Sequence, residues 1–194
     1  MPRRVFLLLG HPDNDSFCAA AAEIYRDAAE AAGAPVRYWR LGDLDFDPVL
    51  HKGYKKVQNL EPDLLRVQED ILWADHLVFV YPMWWGSMPA LMKGFLDRVF
   101  HPTFAFSFDS PTSYKWKGLL KGRSARLILT MDGPPLLIDL LYQNPAIRMM
   151  KGMTLHFCGV RPVRVTQLGS VKRASRAKMA KWRMDLEDLG RTQT

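Results

Sequence analysis

Val5-Phe6-Leu7-Leu8-Leu9-Gly10-His11-Pro12-Asp13-Asn14-Asp15-Ser16-Phe17 reads as a strand, a polar loop and the start of a helix. Five unbroken apolar residues suit a strand covered on both faces, the usual state of a parallel strand in an α/β protein. Asn14, Asp15 and Ser16 all offer N-cap chemistry, and the alanine-rich run that follows predicts a helix over 17–32. Gly33 stands where a C′ glycine closes such a helix.

The same strand–loop–helix unit recurs along the chain. Further strands are predicted at Val36–Arg40, 77–81, 126–130 and 163–168. Pro62 opens a helix whose apolar face is Leu64, Val67, Ile71 and Ala74. Pro89 opens another, with Met92, Phe95, Leu96 and Val99 on one side. One more helix is expected within 136–153, and a last one carries Met179, Trp182, Leu186 and Leu189 at helical spacing. Segment 41–59 reads as irregular. Segment 100–122 is an aromatic excursion in which Phe104, Phe106 and Phe108 alternate as a strand or flap does. Five strands alternating with helices predict an α/β fold: one doubly wound parallel sheet, helices on both faces, in a single domain over 1–194. Ligands of such sheets bind beyond the C-terminal strand ends at a topological switch point, which directs attention to the loops after strands one, three and four.

With 194 residues, 48% hydrophobic and 24% charged, the chain is neither a fibre, a disulfide scaffold nor a disordered tail. No apolar run approaches the roughly 18 residues of a membrane span. Gly10 to Asp15 interrupt the N-terminal apolar run without a small-x-small cleavage site. A cytoplasmic location is therefore expected, without stable membrane insertion. Cys18 and Cys158 form no metal or redox motif and fit a reducing compartment. The net charge of +7 is concentrated at Lys172, Arg173, Arg176, Lys178, Lys181 and Arg183, read as the solvated face of the last helix. No nucleic-acid-binding signature accompanies it, so no nucleic-acid partner is expected.

Each of the three loops has two readings. In the first, His11 and Ser16 with the helix N-terminus suit an anion, and equally suit a plain helix cap. Neither a G-x-G-x-x-G nor a P-loop pattern is present. In the second, Pro82-Met83-Trp84-Trp85-Gly86-Ser87-Met88-Pro89 sets two flat indoles between prolines, suited to a planar aromatic ring or to packing. In the third, Thr130-Met131-Asp132-Gly133 offers backbone amides to a polar ring edge, or forms an ordinary turn. There is no nucleophile elbow and no metal spacing, so any chemistry is expected to be carried by a cofactor.

At these loops the chain resembles the flavodoxin-fold NAD(P)H:quinone oxidoreductase family, the DT-diaphorase-like enzymes. The resemblance rests on Gly10-His11 through Ser16-Phe17, Pro82-Met83-Trp84-Trp85 through Pro89-Ala90-Leu91-Met92-Lys93-Gly94-Phe95, Asp97-Arg98-Val99-Phe100, Phe104-Ala105-Phe106 and Leu155-His156-Phe157-Cys158-Gly159. It implies a sheet of order 2-1-3-4-5 with a flavin at the switch point. His11, Ser16 and Phe17 would hold its phosphate region, Pro82, Met83, Trp84 and Trp85 would line its ring, and Thr130, Met131, Asp132 and Gly133 its polar edge. It further implies a homodimer and ping-pong hydride transfer from NAD(P)H through the flavin to a quinone-like acceptor. Trp85 would wall the stacking site, and Phe106 and Phe108 would reach the partner's site as gate residues. The chain departs from DT-diaphorase at Asp132-Gly133-Pro134-Pro135, where the family's Gly-Gly turn and following tyrosine–histidine pair do not align. It is more similar to the short bacterial NADPH-quinone reductase branch. The cofactor stays open between FMN and FAD, with FMN favoured by the short chain. Two other roles accompany the resemblance: an ancillary subunit of a potassium-efflux antiporter docking through the basic last helix, and a flavodoxin-like electron carrier, against which the net positive charge and the paired tryptophans argue.

Overall fold

The computed structural model describes residues 1–56, 58–110 and 112–194. Five parallel strands form the central sheet: β1 (Val5–Leu9), β2 (Val36–Arg40), β3 (His76–Pro82), β6 (Ser124–Met131) and β7 (Val163–Gly169). Their spatial order is β2-β1-β3-β6-β7. Numbering only these five strands turns it into 2-1-3-4-5, the expected order. The two further strands, β4 (Phe106–Phe108) and β5 (Trp116–Gly118), form a separate antiparallel hairpin from the aromatic excursion.

The central strands sort their side chains by the period of two. Phe6, Leu8, Leu77, Phe79 and Tyr81 enter one core cluster, against α2 (Pro62–Trp73) and α3 (Ala90–Val99). Val5, Leu7, Leu9, Val78 and Val80 enter the other, against α1 (Phe17–Ala31) and α6 (Arg176–Thr192). Burial on both faces explains why these strands are continuous apolar runs, each large apolar side chain contributing about 1.5–3 kcal/mol. The N-cap of α1 is Ser16, whose hydroxyl accepts from Ala19 N at 3.2 Å. On this side α6 crosses α1 so closely that a Cβ on Gly190 would stand 2.3 Å from the Tyr25 carbonyl oxygen.

Loop 41–61 is tied down by a buried guanidinium. Arg98, 1% exposed, donates to the Asp47 and Asn59 carbonyls and pairs with both carboxylate oxygens of Glu61. The region expected to hold one helix within 136–153 is instead broken. Helix α4 (Pro135–Tyr142) ends where Gln143 and Asn144 both take positive φ, 56° and 45°. A short α5 (Pro145–Ile147) then runs into a π-helical segment, Arg148–His156. At the C-terminus, Lys172 and Arg173 belong to a 3-10 turn before α6 rather than to the helix, and Met179 is exposed instead of joining the buried stripe of Trp182 and Leu186. No helix among the described residues is long and apolar enough to cross a membrane.

Candidate cofactor and active site

The topology brings the three loops to one end of the sheet. Because β1, β3 and β6 are adjacent and parallel, their C-terminal ends lie side by side. Gly10 N donates to Val80 O at 2.7 Å, fastening the first loop to β3. Met83 N donates to Thr130 O at 2.8 Å, fastening the second loop to β6. A Cβ on Gly10 would stand 2.5 Å from Met92 Sδ, so glycine is what lets the chain leave β1 against α3.

In the first loop, His11 Nδ1 accepts from Asp13 N at 2.9 Å. Its ring meets Trp84 edge-on at 5.3 Å, so loops one and two touch through two candidate residues. Asn14 donates to Asp43 at 2.5 Å, while its own side-chain oxygen is buried without a partner. The first N–H groups of a helix have no intrahelical acceptor, and Phe17 and Cys18 begin α1 here. The Phe17 ring itself packs on Trp182 at 5.9 Å, so what Phe17 offers to this end is its backbone.

The second loop carries the strongest local anomaly. Trp84 and Ser87 exchange backbone hydrogen bonds of 3.0 and 2.9 Å, closing a two-residue turn of Trp85 and Gly86. Both turn residues have positive φ, 51° and 71°, as in a type I′ turn. Glycine takes this conformation freely, whereas a tryptophan is strained by about 1–2 kcal/mol. Trp85 is moreover fully exposed, at 103%, and Trp84 at 44%. A strained backbone that holds out an unburied indole is what a ligand platform requires.

In the third loop, Thr130 is 6% exposed and its hydroxyl lies 3.1 Å from Cys18 Sγ. Burial pushes the Cys18 thiol up to about 11, so it is a packing group rather than a nucleophile. Met131 ends β6 instead of starting the loop, and its side chain is buried in the core. Only its backbone faces this end. Asp132 pairs with Lys172 at 2.8 Å, which holds its carboxyl below the ordinary value. This pairing crosses from the third loop to the turn after β7, and nothing in the spacing signals it. Gly133 O accepts from Ser170 N at 3.2 Å.

Phe106 and Phe108 stand on the hairpin. Their rings meet each other at 5.7 Å, and Phe106 meets Phe157 at 4.9 Å. Phe157 in turn stacks on Trp116 at 5.0 Å and 14°. Phe106 lines a cleft of about 180 Å³ with Met88, Met149 and Met153. Thus His11, Trp84, Met83 and Thr130 are linked by direct contacts, whereas the two phenylalanines belong to the hairpin. No cluster of potential metal ligands occurs among the described residues.

This arrangement defines an α/β flavodoxin-type protein with an aromatic platform at the switch point. Residues 3–189 match the family described as having a flavodoxin-like fold. Human ribosyldihydronicotinamide dehydrogenase [quinone] is 36% identical over 182 residues, covering 81% of this chain and 77% of its own. NAD(P)H dehydrogenase [quinone] 1 of Cavia porcellus is 26% identical over 96% of this chain and 77% of its own. The crystal structure of Smu.1420 from Streptococcus mutans superposes with a TM-score of 0.80 at 28% identity, covering 97% and 98% of the two chains. The chain belongs to the flavodoxin-fold NAD(P)H:quinone oxidoreductase family, and by that membership it is an oxidoreductase.

Proposed function

We propose that the protein reduces quinones with NAD(P)H, using FMN held at the three-loop end of the sheet. The observation that carries this reading is Trp85, an exposed and strained indole joined through Trp84 to His11. A flavin bound there would supply the two-electron chemistry between NAD(P)H and an acceptor. The balance is NAD(P)H, one proton and a quinone giving NAD(P)+ and a hydroquinone.

The residues of the chain fit such a group. Phe17 and Cys18 N–H groups, with the α1 dipole behind them, favour a phosphate; Ser16 caps the helix beside them. Met83, Trp84 and Trp85 present apolar surface to one side of a planar ring. The backbone of Thr130, Met131, Asp132 and Gly133 supplies polar groups to its edge. Donor and acceptor would use the same stacking face in turn, which is the ping-pong order. Phe106 and Phe108, distant from the platform in sequence and packed on the hairpin, would act on the partner's site in a homodimer. The protein would work in the cytoplasm.

The test is an absorbance spectrum of the purified protein with FMN or FAD, before and after anaerobic addition of NADH or NADPH. Flavin bands that bleach with the nicotinamide are the expected result. A bound flavin that resists both nicotinamides, or no flavin binding at all, would overturn the reading.

A further inference from the structure

We propose that the N-terminal end of the sheet carries an anion site, in which Arg3, Arg164, Ser124 and His76 hold a small tetrahedral oxyanion of the phosphate class. The site lies at the opposite end of the strands from the three loops. It therefore uses neither the ring platform nor the hairpin face that a partner subunit would cover, and it stands apart from the quinone reductase reading.

Strand register brings these groups together. His76 pairs with Ser124 across β3 and β6, and Arg126 pairs with Arg164 across β6 and β7. Paired residues of parallel strands share a face, as do residues two apart in one strand. All four thus stand on the face covered by α1 and α6. Farther along that face the same strands give Val78, Val80, Ile128 and Leu168 to the apolar core. The first positions of three neighbouring strands are polar or basic instead. Arg3 joins them from the segment before β1, its Nη1 donating to Ser124 Oγ and to Gln193 O, each at 3.2 Å.

Three positive charges converge here without a carboxylate side chain. Among the described residues, no Asp or Glu forms an ion pair with Arg3, Arg126 or Arg164. Arg126 is 7% exposed and donates to Thr194 O and Thr166 Oγ1, with Arg164 beside it in register. Like charges side by side on adjacent strands repel, and burial removes the water that screens them. Burial, and then Arg164, lowers the Arg126 pKa for these reasons. An anion between the guanidinium groups removes that repulsion.

The space and the unpaired atoms fit the same occupant. Arg3, His76, Ser124 and Arg164 line a cavity of about 50 Å³, with Arg3 and Arg164 at its exposed mouth. One water needs about 10–15 Å³, so the cavity has room for a small oxyanion. Arg3 can only donate, so Ser124 Oγ accepts from it and has its own proton free for His76 Nδ1, 2.7 Å away. Neutral His76 then carries its proton on Nε2, a buried donor without an acceptor. Buried polar atoms are ordinarily paired, and an oxyanion supplies the missing acceptor. Tyr25 Oη is a second buried atom without a partner near the same charges: burial raises the Tyr25 pKa, and Arg126 and Arg3 oppose it. Guanidinium groups hold phosphate oxygens through paired N–H groups, which Arg3 and Arg164 bring to the mouth.

The experiment is calorimetric titration of the full chain with inorganic phosphate at pH 7 and constant ionic strength, using wild type, Arg164→Gln and Lys181→Gln. Arg164 is exposed, so its loss should leave the fold intact. Lys181→Gln removes the same charge from an exposed position on α6. Wild type should show one saturable site and an unfolding temperature that rises with phosphate. Arg164→Gln should bind about tenfold or more weakly, and Lys181→Gln should match wild type. The His76 ring signal in nitrogen-15 NMR should move with the same midpoint as the heat. Absence of saturable binding, or a His76 signal that stays in place, would overturn the proposal. So would equal affinity of wild type and Arg164→Gln, which would put the phosphate at the α1 N-terminus or on the open surface. Equal weakening by Lys181→Gln would reduce the effect to net charge and overturn it too.

Discussion

The two ends of the central sheet are built from the same strands and finished in opposite ways. At the N-terminal end, charged side chains such as Arg4, Arg123 and Arg126 are paired, although His76 Nε2 is buried without a partner. Arg4 and Asp75 form a two-pronged ion pair, Arg123 donates to the carbonyls of Ile71 and Leu72, and Arg126 donates to Thr194 O at 2.7 Å. His76 is 1% exposed, with Ser124 Oγ 2.7 Å from its Nδ1. At the C-terminal end, surface is left open instead: an exposed Trp85 on a strained turn, a half-exposed Trp84 and a helix whose leucines face solvent. Closure at one end fixes the strands, and that rigidity allows the other end to hold unburied aromatic rings in place. The paired end and the candidate site thus lie at opposite ends of the strands.

The largest stability effect is expected away from the exposed tryptophans, at the buried ion pair between α3 and loop 41–61. Arg98→Ala removes the buried guanidinium that ties loop 41–61 to α3 and leaves Glu61 unpaired. Urea unfolding should show a loss of about 3–5 kcal/mol. A loss no larger than that of an exposed ion pair would contradict the contrast between this buried tie and the exposed platform.

The next effect is a pH dependence. Burial, with Arg3, Arg126 and Arg164 around it, lowers the His76 pKa from 6.5 to about 3. The unfolded chain therefore binds a proton between these values that the folded chain does not. Stability contributed by neutral His76 is fully present above pH 6.5 and is lost as pH falls toward 3, by at most about 1.4 kcal/mol per pH unit. Asp75, held down to about 2 by Arg4, adds its own loss only below about 4. Unfolding curves of wild type and His76→Asn, compared across this window, should converge as pH falls. Parallel curves would show that His76 is not the titrating group.

The smallest effect sharpens the comparison from the open end. Trp85→Gly relieves a positive φ at a residue with little packing to lose, so thermal unfolding should show a gain of about 1 kcal/mol. A loss of stability would make Trp85 a packing residue and erase the difference between the ends.

The sheet was legible in the sequence because strands buried on both faces must be unbroken apolar runs. Val5 to Leu9 and Leu77 to Tyr81 announce themselves for that reason. The edge strand β7 is less marked, since only one side of it is paired, yet Val163 opens it as expected and Leu168 falls one residue short of its end. One strand of the hairpin was visible in the alternation of Phe106 and Phe108, whereas its partner strand, Trp116–Gly118, was not. The interruption at Gln143 and Asn144 was not, because neither residue demands a positive φ. Helix α4 was legible only as part of a helix expected within 136–153; that its leucines face solvent is seen in the fold alone. Within the candidate site, His11, Trp84, Trp85 and Thr130 were singled out from loop position and side-chain chemistry, and the fold brings their loops to one end of the sheet. The bridge from Asp132 to Lys172 and the contact between Cys18 and Thr130 join residues 40 and 112 positions apart, beyond the reach of spacing arguments.

The central claim is that a flavin ring lies against the Trp84–Trp85 turn. It is tested most directly by titrating FMN fluorescence with wild-type protein and with Trp85→Gly, at a pH where both are folded. Wild type should bind, and the variant should bind about tenfold or more weakly while unfolding at the same or a higher temperature. Equal affinity of the two proteins for FMN would contradict the account.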